Sequence, residues 1–116
     1  MAAVDDSFDQ LLGPADDALH PPATGRWAHE TSWWWFFVPE RRLGGWLYNW
    51  HRPNIGTSGG GGWVWDASTF LHWEVPYYAN YSNQAVPTDA GPERVAYPSR
   101  CVQETLVPMQ RYRLTY

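Results

Sequence analysis

The alternation of apolar and polar residues predicts a β-rich chain after a polar N-terminal segment. Residues 27–73 hold all nine tryptophans, and the strand period of two recurs there while no helical period is found. The first predicted strand, 31–38, contains the run Trp33 to Phe37, five consecutive large aromatic residues. Alternation places these side chains on both faces of the strand, so both faces need cover. We expect protein core on one face, and either more protein or the wall of an apolar ligand cavity on the other.

Two more strands with the same alternation are predicted at 45–52 and 63–68. Aromatic residues alternate with other side chains in both segments. If these strands pair antiparallel with their aromatic faces aligned, Asn49, His51 and Asp66 share the opposite face of the sheet. These three polar side chains are then either neighbours in a site or the solvated face that antiparallel sheets commonly expose.

Proline and glycine divide the rest of the chain into loops and strands. The segment 53–62 ends in four glycines and is predicted to be a flexible loop. A fourth strand is predicted at 70–75, and 76–98, which contains four prolines, is predicted to be mostly loop. The last two predicted strands are 101–107 and 110–116.

Residues 1–23 form a separate acidic arm in this interpretation, followed by a β-domain at 24–116. The arm contains five aspartates and no lysine or arginine. Capping-box spacing starts a short helix at Ser7, which runs to Leu12 and ends at Gly13-Pro14. The strand-like end of the chain and its large apolar surface indicate one part of a larger two-domain or multi-chain protein.

Composition excludes several classes of function. The net charge of −4 leaves no basic patch for nucleic acid. No stretch approaches the roughly 18 apolar residues of a membrane span, and no leader pattern is present, so a cytoplasmic protein is expected. Cys101 is the single cysteine and is expected to be a small buried hydrophobe. The histidines lack metal-ligand spacing, and the glycine run lacks a following Lys-Ser/Thr, so neither a metal nor another cofactor is predicted.

The polar face of strands two and three is the candidate catalytic site. A carboxylic acid beside indole rings has a raised pKa, so Asp66 is predicted to donate a proton to an alkene, with His51 as its partner. Trp34, Trp50 and Trp65 are predicted to form the cavity wall, because aromatic faces suit apolar ligands and stabilise passing cations.

Three polar residues are predicted to bind the ligand itself. Asn49 lies on the same strand face as His51, and Glu30 precedes the aromatic run. Arg52 ends the second strand and is expected either to bind a carboxylate or hydroxyl of the ligand or to pair with a local acid such as Glu30 or Glu74.

The aromatic strand and its flanks resemble a known group of proteins. Glu30, the run Trp33 to Phe37 and Gly44-Gly45-Trp46 resemble the opening of the lipocalin-like carotenoid 1,2-hydratase and AttH-like superfamily, and the resemblance spans residues 27–75. It implies an antiparallel lipocalin-like curved sheet or partial barrel, here the N-terminal domain beside a companion β-domain or subunit. It also implies a hydratase- or isomerase-type (lyase-type) reaction, in which acid starts the hydration, isomerisation or cyclisation of an isoprenoid.

The function expected from the sequence is therefore binding of an isoprenoid- or steroid-like molecule in an aromatic-lined cavity. If the chain is an enzyme, Asp66→Asn should abolish turnover and spare binding. Two other classes stay open. A carbohydrate-binding β module would need two or three exposed tryptophans in a row, and a non-catalytic structural subunit would bury its tryptophans against a partner.

Overall fold

Two antiparallel four-stranded sheets make up the fold in the computed structural model, which describes residues 12–116. Sheet A has the strand order β1 (Glu30–Val38), β2 (Leu43–Arg52), β3 (Thr57–Asp66), β4 (Tyr77–Gln84). Sheet B has the order β5 (Asp89–Ala90), β6 (Arg94–Ala96), β7 (Val102–Val107), β8 (Arg111–Thr115). Short 3-10 turns lie at Pro14–Asp17, Pro39–Arg41 and Pro53–Ile55.

The predicted class, mainly β and antiparallel, is confirmed. The predicted strands at 31–38, 45–52, 101–107 and 110–116 all correspond to observed strands. Neither sheet closes on itself, and no ladder joins the two sheets within the described part of the chain, so a closed barrel is not formed there. Every helical segment among residues 12–116 is a 3-10 turn. The helix predicted from Ser7 falls almost entirely outside those residues.

The four-glycine run lies inside the central strand β3, so the predicted flexible loop is wrong. Gly59 to Gly62 are all buried and pair with β2 on one side. A Cβ on Gly59 would lie 2.6 Å from the Trp50 ring, and one on Gly60 would lie 2.3 Å from the carbonyl oxygen of Tyr48. The glycines are needed because neighbouring strands occupy the space where side chains would stand.

The predictions for residues 70–98 are also wrong. Residues 70–75 form a turn, because the backbone amides of Phe70 and Leu71 both donate to Oε2 of Glu74, at 3.1 and 3.0 Å. The predicted loop 76–98 contains β4, β5 and β6. Its prolines lie between these strands or at their ends, where no ladder hydrogen bond is lost.

The inner face of sheet A packs against sheet B. Ser99 donates to Asn49, the Ser32 hydroxyl donates to the side-chain carbonyl of Gln103, and the rings of Trp34 and Tyr112 lie 4.8 Å apart. The N-terminal segment also joins sheet B, because Asp17 accepts hydrogen bonds from the amide of Met109 and the hydroxyl of Tyr112. The buried apolar core comprises Leu47, Val95, Tyr97 and Cys101.

The other side of sheet A, which we name the outer aromatic face, carries a continuous layer of rings. Strand register places the following residues on it: Trp33, Trp35, Phe37, Trp46, Tyr48, Trp50, Trp63, Trp65 and Tyr78. Trp33 is 54% exposed, and Trp35 and Phe37 are each 66% exposed. The expectation that both faces of the first strand are covered therefore holds only for the inner face among the described residues.

Candidate functional site

An apolar cavity of about 310 Å³ lies between sheet A and strand β8. Its lining consists of Phe36, Leu47, Gly62, Val64, Tyr77, Leu114 and Tyr116. Alternation along β1, β2 and β3 brings the apolar side chains to the inner face. Gly62 keeps the floor open, because a Cβ there would lie 3.0 Å from Cδ2 of Leu47 and 3.5 Å from the Tyr116 ring.

Two tyrosine hydroxyls supply the polar groups of this cavity. The hydroxyl of Tyr77 donates to that of Tyr116 at 2.9 Å, and the two rings meet edge to face with centroids 5.8 Å apart. Burial raises the pKa of Tyr116, and the hydrogen bond with Tyr77 raises it further. The Tyr116 hydroxyl therefore stays neutral near pH 7, and its O–H can donate to an acceptor inside the cavity.

A row of buried polar side chains continues from the cavity along β2. Asn49 follows Leu47 on the same strand face, and His51 follows Asn49; the two polar residues are 0% and 5% exposed. The Ser99 hydroxyl donates to Oδ1 of Asn49 at 2.6 Å. Nδ2 of Asn49 and Nδ1 of His51 have no hydrogen-bond partner within the part of the chain that the structure describes. Burial lowers the pKa of His51, and the charge of Glu30 opposes that effect.

Glu30 lies between a buried and an exposed histidine. Its Oε2 is 3.9 Å from Nε2 of His51, its register partner, and its Oε1 is 2.9 Å from Nδ1 of His20. His20 also contacts Asp16, with 3.3 Å between Nε2 and Oδ1. The hydrogen bond with Glu30 raises the pKa of His20, and the hydrogen bond with Asp16 makes a smaller contribution in the same direction. This group borders a second cleft of about 260 Å³ at the β1 edge, with Gln103 and Tyr112 on its far wall.

Strand register divides the predicted site residues between two faces. Glu30, Trp34, Asn49, His51 and Asp66 lie on the inner face, which confirms that Asn49, His51 and Asp66 share one face. Trp50, Arg52 and Trp65 lie on the outer side. The three predicted wall tryptophans therefore do not line one cavity.

Asp66 lies far from His51, so the structure does not bring these two predicted catalytic residues together. Asp66 pairs with Leu43 at the far end of β2, eight residues from His51, which corresponds to roughly 25 Å along the strand. Oδ1 of Asp66 accepts hydrogen bonds from the amide and the hydroxyl of Ser68, at 2.9 and 2.6 Å. These bonds lower the pKa of Asp66, so the predicted rise in its pKa is wrong. The carboxylate shapes a turn and stays ionised at neutral pH.

The three predicted tryptophans have separate environments. The Trp50 ring lies over Gly59, with the Arg52 guanidinium 5.6 Å from the ring centroid. The Trp65 indole lies over Gly44, where a Cβ would be 2.9 Å from its Nε1. Trp34 faces sheet B, borders the 260 Å³ cleft, and donates from Nε1 to the Ser32 hydroxyl at 2.7 Å.

Several residues of the two clefts were not identified from the sequence. Phe36, Leu47 and Val64 could have been found by following the inner face of the predicted strands through every second residue. His20, Leu114 and Tyr116 carry no such signal, because their contacts depend on how sheet B and the N-terminal segment lie on sheet A. The predicted burial of Cys101 is confirmed, and burial raises the pKa of its thiol.

Neither a metal-ligand cluster nor a membrane-spanning helix is found among residues 12–116. No group of three or more His, Cys, Asp and Glu side chains in that range could hold a metal ion. None of the helical segments in the range has the length and apolar character needed to cross a membrane.

Comparison with known proteins gives a family for the chain. No curated protein and no solved structure matches it. A protein family described as Domain of unknown function (DUF7064) matches residues 13–116. Because this match covers most of the chain, the protein belongs to the DUF7064 family.

Proposed function

We propose that this chain binds an apolar small molecule between its two sheets. The observation that carries the proposal is the 310 Å³ cavity lined by Phe36, Leu47, Val64, Leu114 and the two tyrosines. Its volume lies at the lower end of the range of about 300–1,000 Å³ for ligand sites. At about 30 Å³ for each water-sized group, it accommodates roughly ten carbon atoms. That size corresponds to a small isoprenoid rather than to a whole carotenoid or steroid.

The tyrosine pair adds a preference for one polar group on the ligand. Tyr77 donates to Tyr116, which leaves the Tyr116 O–H able to donate to a carbonyl or hydroxyl oxygen of the ligand. An apolar pocket with one or two placed polar groups is typical of sites that fix the orientation of a ligand. The proposed ligand is therefore a monoterpene-sized molecule carrying one hydrogen-bond acceptor.

The lipocalin-like resemblance implies a catalytic role in addition to binding. Acid-initiated isoprenoid chemistry needs a protonated donor, and the ionised Asp66 carboxylate is poorly suited to that role near neutral pH. The buried His51 and the adjacent Glu30 lie on the same strand face as Leu47, with 3.9 Å between Nε2 and Oε2. If the chain is an enzyme, we assign proton transfer to this pair, and turnover should rise as pH falls, because burial lowers the pKa of His51 and keeps it neutral near pH 7.

A carbohydrate module is the second candidate, because three aromatic side chains of one strand are exposed in a row. The geometry of the rings argues against it. The Trp33 and Trp35 rings are parallel within 6° with centroids 5.8 Å apart, so they turn their faces towards each other. Sugar platforms use ring faces that are open to solvent, and a stacked pair presents mainly edges.

Calorimetric titration with two ligands of one skeleton tests the proposal. The probes are limonene, a monoterpene hydrocarbon, and carvone, the corresponding ketone. Leu114→Trp should fill the cavity and weaken carvone binding at least about tenfold, or about 1.4 kcal/mol. Leu106→Trp, which changes an exposed leucine of the same sheet, should leave binding unchanged.

Two results would contradict the proposal. One is binding of neither probe. The other is carvone binding that survives Leu114→Trp but is lost on Trp35→Ser, because the ligand would then lie on the outer aromatic face. Titration with cello-oligosaccharides under the same conditions, with Trp fluorescence as the signal, tests the carbohydrate candidate.

A further inference from the structure

The outer aromatic face is an apolar surface of unusual size. Trp33, Trp35, Phe37 and Tyr78 are 54%, 66%, 66% and 55% exposed. If a whole aromatic side chain presents about 200 Å², these four expose roughly 500 Å². Half-buried Trp46, Tyr48, Trp50, Trp63 and Trp65 extend the surface. Together they approach the area of about 800 Å² that each partner contributes to a standard stable interface.

The rings of this face are packed as they would be in a core. Trp46 contacts Trp63 at 61° and Tyr48 at 85°, and Trp63 contacts Tyr78 at 77°. Such a tilted layer exposes both ring edges, which are electropositive, and ring faces, which are electronegative. A second layer of the same kind offers the complementary features, so the surface can complement a copy of itself.

Charge on the face also permits self-association. Among the described residues, the cationic and titratable basic groups on this side of sheet A lie at one end of the face: Arg52 ends β2, Arg26 lies over the Trp27 ring, and His29 contacts the ring of Trp50 edge to face. The Arg52 guanidinium lies over the rings of Trp27 and Trp50, at one edge of the layer. A two-fold axis through the centre of the face would place these groups of the two copies at opposite ends, outside the apolar centre. Pairing two copies would therefore bury no like-charge pair.

We propose that the outer aromatic face is a dimer interface, and that a second copy of this chain packs on it sheet to sheet about a two-fold axis. Trp33, Trp35 and Trp46 lie at its centre, and Thr31 and Asn80 contribute to a polar rim. This interface is independent of the ligand cavity, which lies on the opposite face of sheet A.

Sedimentation velocity of the full chain at roughly 10 μM tests this proposal, because interfaces of this area span micromolar to picomolar affinity. The wild-type chain should sediment with twice the mass of one chain. Trp35→Asp should shift it to a monomer, with the dissociation constant raised at least about a hundredfold, since the new charge would be buried at the centre. Phe70→Asp, at an exposed aromatic residue beyond the end of β3, is the matched control and should remain a dimer.

Tyr78→Lys, at the β4 side of the same face, is a second variant that tests the interface even if Trp35→Asp fails to fold. It should also weaken the dimer. Circular dichroism of each variant checks that the sheets are intact. A wild-type monomer at this concentration would overturn the proposal and favour a different protein as the occupant of the face. A dimer that survives both folded variants would overturn it equally, because the contact would then lie elsewhere.

Discussion

Ser99 and Asn49 join the two sheets through one buried hydrogen bond. The Ser99 hydroxyl donates to Oδ1 of Asn49 at 2.6 Å, and both residues are 0% exposed. They are 50 positions apart in the chain, so the bond fixes the loop before β7 against the middle of β2. Asn49 also precedes His51 on the same face, so this hydrogen bond fixes one member of the buried polar row.

Ser99→Ala should destabilise the fold by about 1–3 kcal/mol, because it leaves Oδ1 of Asn49 buried without a donor. Chemical denaturation measures this difference. Ser82→Ala, at an exposed serine of β4, is the matched control and should change the free energy of unfolding by no more than about 0.5 kcal/mol. Equal effects of the two substitutions would show that the buried bond contributes nothing specific.

Gly60→Ala should destabilise the chain by about 2 kcal/mol or more. Gly60 has φ of +148°, and a Cβ there would lie 2.3 Å from the carbonyl oxygen of Tyr48 and 2.8 Å from Oδ1 of Asn49. Gly25→Ala is the control, because a Cβ at that position meets no atom within 4 Å. Thermal unfolding of both variants measures the effect. An unchanged midpoint for Gly60→Ala would contradict the close packing of β2 on β3.

The stability of the fold should fall as pH drops from about 7 to about 5, in part because of His51. Its folded pKa is lowered by burial, so the unfolded chain binds more protons below the ordinary value of 6.5. The contribution of neutral His51 to the free energy of unfolding is therefore present above pH 6.5, and it is lost as pH falls through the folded pKa of His51. His51→Gln should therefore flatten the profile between these two pH values.

His20 should act in the opposite direction. Its folded pKa is raised by Glu30 and Asp16, so its contribution is present below 6.5 and is lost as pH rises through the folded pKa. His20→Gln should consequently steepen the loss of stability on acidification. Urea unfolding of both variants at several pH values measures the slopes. Identical slopes in the wild type and His51→Gln would show that His51 is not held neutral by burial.

Tyr116→Phe should remove the preference for carvone over limonene. The hydroxyl of Tyr116 is the donor proposed to meet the ligand oxygen, and one neutral hydrogen bond contributes about 0.5–1.5 kcal/mol. The carvone affinity should fall roughly threefold to tenfold while limonene binding changes little. Calorimetry with both ligands measures the two affinities. A ligand preference that persists in Tyr116→Phe would place the ligand oxygen at another group.

Strands β1 and β2 and the second half of β3 could be predicted from the sequence, whereas the first half of β3, strand β4 and the relation of sheet A to sheet B could not. Alternation in 45–52 correctly separated Trp50 from Asn49 and His51, because strand geometry alone decides which face a residue takes. The glycine run alone predicts a loop, because the need for glycine at these positions comes from the rings and backbone of neighbouring strands. Tertiary packing also decides that Asp66 ends in a turn and that Ser99 reaches Asn49.

The location of a bound ligand tests the central claim most directly. Carvone added to the isotope-labelled full chain should give intermolecular nuclear Overhauser effects from its methyl groups to the methyl groups of Leu47 and Leu114, which line the cavity from opposite sheets. Contacts to both leucines are the predicted result. Contacts confined to Trp33, Trp35 and Phe37, or no contacts at saturating carvone, would contradict an intersheet ligand site.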